Sequence, residues 1–181
     1  MFNLSTQDVV LSIENASLVN LNGIYFQEYE NFFGNNFSLP DISHSKFRKL
    51  EMQEDFSRQV LDTDDVVSRK LQIFFMNKKI TDALSKKFDI KLKFQSVDVW
   101  RDLPGYYLPP HTDNKSIKLA LQVYLGDNDQ GTCLYGKGSD PVHTFQFKNN
   151  FGYSLLNNEK SLHGVPKVKN NGRKSLYVRY S

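Results

Sequence analysis

Two histidines and an aspartate in the C-terminal half of this 181-residue chain have the types and order of a metal-binding set. The tripeptide His111-Thr112-Asp113 places an imidazole and a carboxylate on the same side of an extended strand, because alternate side chains of a strand point the same way. His163, from a distant strand, would supply the third ligand. Two imidazoles and one carboxylate leave about three positions of an octahedron open, an arrangement typical of non-haem Fe(II).

The order of the motifs is more specific than the first motif alone. A His followed two positions later by a carboxylate occurs by chance in roughly one of every two or three such sequences. Arg173 and Ser175 follow His163 by ten and twelve positions. That second pattern is expected by accident for only about one His in a hundred. The two patterns together predict a metal site with a carboxylate anchor behind it.

The segments around these residues have the composition of short strands and turns. A Pro-Gly turn and an apolar run precede His111, and a turn-forming hexapeptide occupies residues 126–131. The strand-like runs are residues 97–110, 117–125, 144–147, 153–156 and 175–180. Short strands at this spacing favour an all-β barrel or jelly roll.

Residues 97–181 resemble the Fe(II)- and 2-oxoglutarate-dependent dioxygenase superfamily, and most of all its prolyl-4-hydroxylase-like branch. The resemblance is carried by residues 105–113, Val123-Tyr124-Leu125, Gly131-Thr132, His163-Gly164-Val165 and Arg173-Lys174-Ser175-Leu176. It implies a mainly β (α+β) fold, a double-stranded β-helix of the jelly-roll, cupin-like type. Iron would lie at the open end of this fold, and N-terminal helices would pack outside it.

The resemblance also implies a role for each residue type. It implies that His111, Asp113 and His163 are the iron ligands. It also implies that Arg173 binds a carboxylate of 2-oxoglutarate, to which the hydroxyls of Ser175 and Tyr124 can donate. A carboxylate deep in a barrel is costly without a partner, and a guanidinium meets it with a planar, permanently charged donor set. The co-substrates implied are 2-oxoglutarate and dioxygen, and the chemistry also allows for ascorbate.

Candidates for substrate contact precede the metal motif. Tyr107 shares strand parity with His111 and is predicted either to face the cavity or to be a core aromatic. By resemblance, Trp100 and Arg101 lie near the substrate mouth.

The other histidines and the cysteine do not have the spacing of a metal site. His143 and His44 are predicted to be surface or hydrogen-bonded residues. Cys133 is the only cysteine, which excludes an intrachain disulfide and a thiolate zinc cluster, and a small buried role is expected.

Length and composition predict one domain over residues 1–181. Residues 97–181 would form the core that carries the iron site, and residues 1–96 would support it. The support region includes a helix near residues 77–87, with Asn77 as its cap and apolar residues at helical spacing. The absence of a signal peptide or membrane-length stretch, together with the lone cysteine, favours a cytoplasmic setting.

Charge is divided unevenly along the chain. Residues 1–65 hold four Lys/Arg and eleven Asp/Glu, net −7, whereas residues 66–181 are net +10. The positive charge of residues 66–181 could steer an anionic ligand toward the site. Solvated lysines on strand faces would explain the same charge excess without a function. The acidic residues 51–65 are predicted to form a loop near the site mouth.

The function predicted is hydroxylation of an unactivated C–H bond, in a prolyl or other peptidyl substrate. A free amino acid or small metabolite is the alternative, because it would use the same iron site. A nucleic-acid substrate is disfavoured because no base-stacking motif accompanies the basic half. A non-catalytic β-barrel that binds a ligand is the alternative from another class, and it would not need all four site residues. The oligomeric state is left open.

Overall fold

Two antiparallel sheets face each other in the computed structural model, which describes residues 4–38, 42, 45–49, 57–127, 130–169 and 172–181. The strands are β1 (Val19–Leu21), β2 (Ile24–Tyr29), β3 (Phe47–Lys49), β4 (Arg58–Leu61), β5 (Phe94–Asp102), β6 (Leu108–His111), β7 (Leu119–Tyr124), β8 (Cys133–Tyr135), β9 (Pro141–Thr144), β10 (Gly152–Leu156), β11 (His163–Val165) and β12 (Arg173–Tyr180). The large sheet has the order β1-β2-β10-β7-β12-β5-β4-β3, and the small sheet has the order β6-β11-β8-β9. The predicted mainly β jelly roll is confirmed.

Helices α1 (Thr6–Asn15), α2 (Val66–Phe75) and α3 (Lys78–Phe88) pack on the outer face of the large sheet. Each begins at a capping side chain that accepts a backbone N–H: Ser5, Asp65 and Asn77. The predicted helix near residues 77–87 is therefore confirmed. None of the helices in the described ranges is long and apolar enough to cross a membrane.

Strand alternation gives the large sheet two different faces. Val99, Leu121 and Leu176 point toward the helices and join the largest apolar cluster. Their neighbours Trp100, Gln122 and Tyr177 point toward the small sheet and line a cavity. The apolar helix layer thus fixes which residues of β5, β7 and β12 face the small sheet.

Two sequence expectations were wrong. The strand expected at residues 144–147 ends at Thr144. Phe145 still donates its backbone N–H to the Thr132 carbonyl at 2.9 Å, but Phe145 and Phe147 follow the strand as buried core residues. Within the acidic segment, Arg58–Leu61 is not a loop but a largely buried strand paired with β5. Residues 51–56 of that segment lie outside the described residues.

Candidate metal centre and cavity

His111, Asp113 and His163 converge at one end of the space between the sheets. Strands β6 and β11 pair so that His111 lies directly opposite His163, and their ring centroids are 4.5 Å apart. One ligand atom from each of the three residues lies within 4.8 Å of the others, and His163 Nε2 is 3.9 Å from Asp113 Oδ1. The spacing is suited to three ligands of a single ion.

The backbone selects the histidine nitrogen that faces the site. His111 Nδ1 lies 2.9 Å from the carbonyl oxygen of Pro109, and His163 Nδ1 lies 2.9 Å from that of Ser161. A carbonyl only accepts, so each Nδ1 donates and each Nε2 keeps its lone pair for a metal. Burial lowers the pKa of His163, despite the opposing effect of Asp113, and so favours the neutral ring.

Asp113 is held from two sides. The Tyr177 hydroxyl donates to Asp113 Oδ1 at 2.9 Å, and burial together with the Asp113 charge raises the pKa of Tyr177, which keeps the donor protonated. The Asn157 side-chain amide donates to the backbone oxygens of Asp113, Asn114 and Ile117. The loop that carries the carboxylate is therefore fixed to the loop after β10.

Arg173 is the first residue of β12 and is buried, with 1% of its surface exposed. It shares strand parity with Tyr177 and so belongs to the face of the large sheet that points toward the small sheet. Its Nη2 donates to Thr132 Oγ1 over a long 3.4 Å. In the described part of the chain, its Nε and Nη1 have no hydrogen-bond acceptor. Buried donors of a charged group are costly when unpaired, so this guanidinium is ready for an acceptor such as a carboxylate.

The hydroxyls predicted to assist Arg173 are buried nearby but engaged. Ser175 Oγ accepts from Gln122 Nε2 at 2.9 Å. The Tyr124 hydroxyl donates to Thr132 Oγ1 at 3.1 Å and accepts from the Thr132 backbone N–H at 3.0 Å. Thr132 and Gln122, rather than Ser175 and Tyr124, line the cavity itself.

A cavity of about 140 Å³ extends from His111, Asp113 and His163 to Gln122 and Thr132, and Arg173 lies behind Thr132 without lining the cavity. Its walls are lined, besides the three ligands, by Arg58, Trp100, Leu108, Ala120, Gln122, Thr132, Tyr153, Leu155, Val165 and Tyr177. Apolar side chains such as Leu155 and Val165 and a set of polar ones share these walls, a combination found in small-molecule sites.

The three candidates for substrate contact lie in different places. Trp100 lines the cavity and stacks on Tyr177 at 4.3 Å. Arg101 lies on the opposite face of β5, where it donates to Gln59, so the strand separates it from the cavity.

Tyr107 is 52% exposed and is not among the residues that line the cavity. Its parity argument fails because the pairing of β6 with β11 has a register shift. Leu108 and His111, three positions apart, therefore both face the cavity.

Arg58 is a cavity residue that sequence reasoning missed. Its Nε and Nη2 donate to Asp102 Oδ1 at 2.6 Å and Oδ2 at 3.0 Å. Its guanidinium carbon lies 3.9 Å from the ring centroid of Trp100 and 4.2 Å from that of Tyr106. Burial opposes its charge, but Asp102 outweighs burial and raises the pKa of Arg58. No sequence motif identified it, whereas Tyr177 could have been found by its parity with Arg173 and Ser175.

The remaining candidates have ordinary surroundings. His143 Nε2 lies 3.1 Å from a Glu28 carboxylate oxygen, as expected for a hydrogen-bonded His. Cys133 is buried, as predicted. His44 lies outside the described residues.

Comparison with known proteins gives the fold. No protein-family model matches the sequence, and no curated protein matches it. A prolyl 4-hydroxylase from Phytophthora capsici superposes with a TM-score of 0.65 at 16% identity, covering 100% of this chain and 66% of that one. This is the fold of the 2-oxoglutarate- and Fe(II)-dependent oxygenases.

Two further solved structures show the same likeness. A prolyl hydroxylase from Trichoplax adhaerens, in complex with a hypoxia-inducible-factor peptide, has a TM-score of 0.60 at 13% identity, covering 96% of this chain and 87% of that one. HygX from Streptomyces hygroscopicus, with nickel, 2-oxoglutarate and hygromycin B bound, has a TM-score of 0.60 at 11% identity, covering 98% and 87%. Likeness at these identities extends to the fold, so the chemistry must be argued from the site.

Proposed function

We propose that this protein is an Fe(II)- and 2-oxoglutarate-dependent oxygenase that hydroxylates an unactivated C–H bond. The proposal is carried by one observation. The three candidate metal ligands line a cavity that extends to Thr132, and Thr132 is the hydrogen-bond partner of Arg173, a buried arginine with two unpaired donors. A metal triad alone would suit several kinds of enzyme. A co-substrate with two carboxylates requires, in addition, a cationic group that binds the carboxylate not held by the metal, and the Arg173 guanidinium can do this.

The residues present fit both groups. His111, Asp113 and His163 would hold Fe(II) through two neutral nitrogens and one carboxylate, a donor set that leaves other positions open. Arg173 would hold the distal carboxylate of 2-oxoglutarate through Nε and Nη1, the donors that lack acceptors. When bound, these groups supply the oxidising chemistry: 2-oxoglutarate is decarboxylated to succinate while dioxygen is used to hydroxylate the substrate.

The protein's own contribution is to position these groups and to exclude water. Pro109 and Ser161 orient the two imidazoles, and Tyr177 orients the carboxylate of Asp113. Apolar cavity residues, including Leu155 and Val165, keep water from the reacting centre. Because these hydrogen bonds are formed before any ligand arrives, binding requires little reorganisation.

For the substrate, we propose a prolyl or other peptidyl group. Trp100 and Tyr177 are stacked aromatic side chains that line the cavity beside Asp113, and such apolar surface suits a compact aliphatic ring. The likeness to prolyl hydroxylases, one of them bound to a peptide, supports this choice. A free amino acid or small metabolite is the second candidate, since another oxygenase of the same fold has hygromycin B bound.

Succinate release tests the proposal. The purified chain, Fe(II), 2-oxoglutarate and oxygen would be incubated with Pro-containing peptides, free amino acids and methylated oligonucleotides in parallel. Substrate-dependent succinate is expected with the peptides and should disappear in the His111→Ala variant. Binding of metal and 2-oxoglutarate without succinate from any substrate class would indicate a binding module instead. A response only to free amino acids would replace the peptidyl substrate and keep the reaction.

A further inference from the structure

The Asp102 carboxylate has two arginines as direct cross-strand neighbours. In the large sheet, Asp102 of β5 lies opposite Arg58 of β4 on one side and opposite Arg173 of β12 on the other. All three side chains are buried, with 1% of Asp102, 5% of Arg58 and 1% of Arg173 exposed. The strand register therefore places two cationic side chains next to the Asp102 carboxylate.

The Asp102 carboxylate forms hydrogen bonds with only one of these two arginines. Asp102 accepts two hydrogen bonds from Arg58, at 2.6 and 3.0 Å. Its shortest contact with Arg173 joins Oδ2 and Nη1 at 3.8 Å, which is too long for a hydrogen bond. The unequal pairing leaves Nε and Nη1 of Arg173 without acceptors in the described structure.

Aromatic rings explain why Arg58 is the favoured partner. Its guanidinium carbon lies 3.9 Å from the ring centroid of Trp100 and 4.2 Å from that of Tyr106. The rings that face Arg173 are farther away, at 5.0 and 5.8 Å, so the contacts with Arg58 are the stronger ones. The three charged side chains together carry a net charge of +1 in a buried place. Such a charge is costly unless an anion joins it, and the arginine whose Nε and Nη1 lack hydrogen-bond acceptors decides where the anion binds.

We propose that Arg58 is a positioning residue that keeps Asp102 away from Arg173 and so keeps Arg173 available to the carboxylate of 2-oxoglutarate. This inference rests on the proposed function, in which Arg173 is the anchor. Without Arg58, Asp102 has a second guanidinium 3.8 Å away and turns to it. The protein's own carboxylate then competes with the co-substrate for the same donors.

The test is a double-mutant cycle read by binding rather than turnover. Affinity for 2-oxoglutarate would be measured by calorimetry on the Mn(II)-loaded full chain without oxygen. Fluorescence of Trp100, the only tryptophan of the chain, would report on the cavity. Arg58→Met should weaken 2-oxoglutarate binding about tenfold or more, because a buried carboxylate now occupies Arg173. Adding Asp102→Asn should restore the affinity to within about threefold of wild type, since the competitor is gone.

Arg101→Met is the matched control. Arg101 neighbours Asp102 on β5 and bonds across to β4, but on the face away from the cavity, so its loss should leave 2-oxoglutarate affinity unchanged. Mn(II) affinity should be the same in all variants. If Arg58→Met does not fold, Arg58→Lys with and without Asp102→Asn runs the same cycle, with a smaller loss and the same rescue.

The outcomes separate this inference from the proposed function. Wild-type affinity in Arg58→Met, or a loss that Asp102→Asn does not restore, would overturn the role of Arg58 and leave the function standing. No binding of 2-oxoglutarate by wild type, or equal binding by wild type and Arg173→Leu, would overturn the anchor itself.

Discussion

At the scale of single residues, the proposed metal site depends on partners that are not candidate ligands. Tyr177 donates to Asp113 Oδ1 and at the same time stacks on Trp100, so it joins the metal ligand to the cavity wall. Removing only its hydroxyl separates the two roles. Tyr177→Phe should therefore weaken Mn(II) or Fe(II) binding by about tenfold to a hundredfold while the stack persists.

Metal titration followed by Trp100 fluorescence would measure this effect. Tyr180→Phe is the control, because Tyr180 lies on the helix-facing side of β12 and its buried hydroxyl has no hydrogen-bond partner in the described residues. Equal metal affinity in Tyr177→Phe and wild type would mean that the Asp113 rotamer is held by its loop, through Asn157, and not by Tyr177.

The anchor gives a second prediction at the residue scale. Arg173→Leu should raise the apparent KM for 2-oxoglutarate strongly and change metal affinity hardly at all, because losing one partner of a desolvated pair costs on the order of 3 kcal/mol. Arg173→Lys should do less harm, since it keeps the charge and loses the planar donor set. Calorimetry with 2-oxoglutarate on both variants would measure the difference. A loss of metal binding in parallel would show that Arg173 supports the site through packing.

The sequence was informative about single residues where chemistry requires a fixed type at a fixed spacing. His111, Asp113, His163 and Arg173 could be selected in this way. The structure brings the first three together at one cavity and buries Arg173 beside Thr132, which lines the same cavity. Arg58 could not be selected, because its place in the site depends on strand pairing between β4 and β5. No local sequence pattern around a single arginine in an acidic segment predicts a contact with a residue of another strand.

At the scale of elements, prediction succeeded where a helix carries its own start signal. Asn77 accepts the backbone N–H of Lys79, and Ile80 and Leu84 are buried one turn apart in α3. Helix α2 was not predicted, because its β-branched and aromatic residues favour strands locally. It becomes helical because Asp65 caps it and because Leu71 and Phe75 pack into the cluster on the large sheet.

The cap of α3 can be tested directly. Asn77→Ala should lower the free energy of unfolding by about 1 kcal/mol, because the N–H of Lys79 loses its acceptor at the helix start. Asn77→Asp keeps a capping oxygen and should stay near wild type. Chemical denaturation would measure both variants. The same loss in Asn77→Asp would attribute the effect to the hydrogen bond that Asn77 donates to Thr6 instead.

At the scale of the whole molecule, the fold is held by apolar layers that do not include the metal ligands. The helices and the outer face of the large sheet form the largest apolar cluster, and a second cluster fills part of the space between the sheets. The ligands lie at one end of this space, on β6, on β11 and in the loop after β6. An ion there is expected to add stability without being required for folding.

This arrangement predicts how metal removal affects the molecule. The metal-free chain should keep its secondary structure and unfold cooperatively, because the two apolar clusters remain intact. Adding Mn(II) at about 100 times its Kd should raise the free energy of unfolding by about 2.7 kcal/mol, through binding to the folded state alone. His163→Ala should abolish that gain and leave the metal-free stability nearly unchanged, whereas Arg173→Leu should keep it. Circular dichroism and thermal unfolding with and without a chelator would measure all three chains. A chain that unfolds when the metal is removed would identify the site as structural and would end the interpretation of His111, Asp113 and His163 as a catalytic centre.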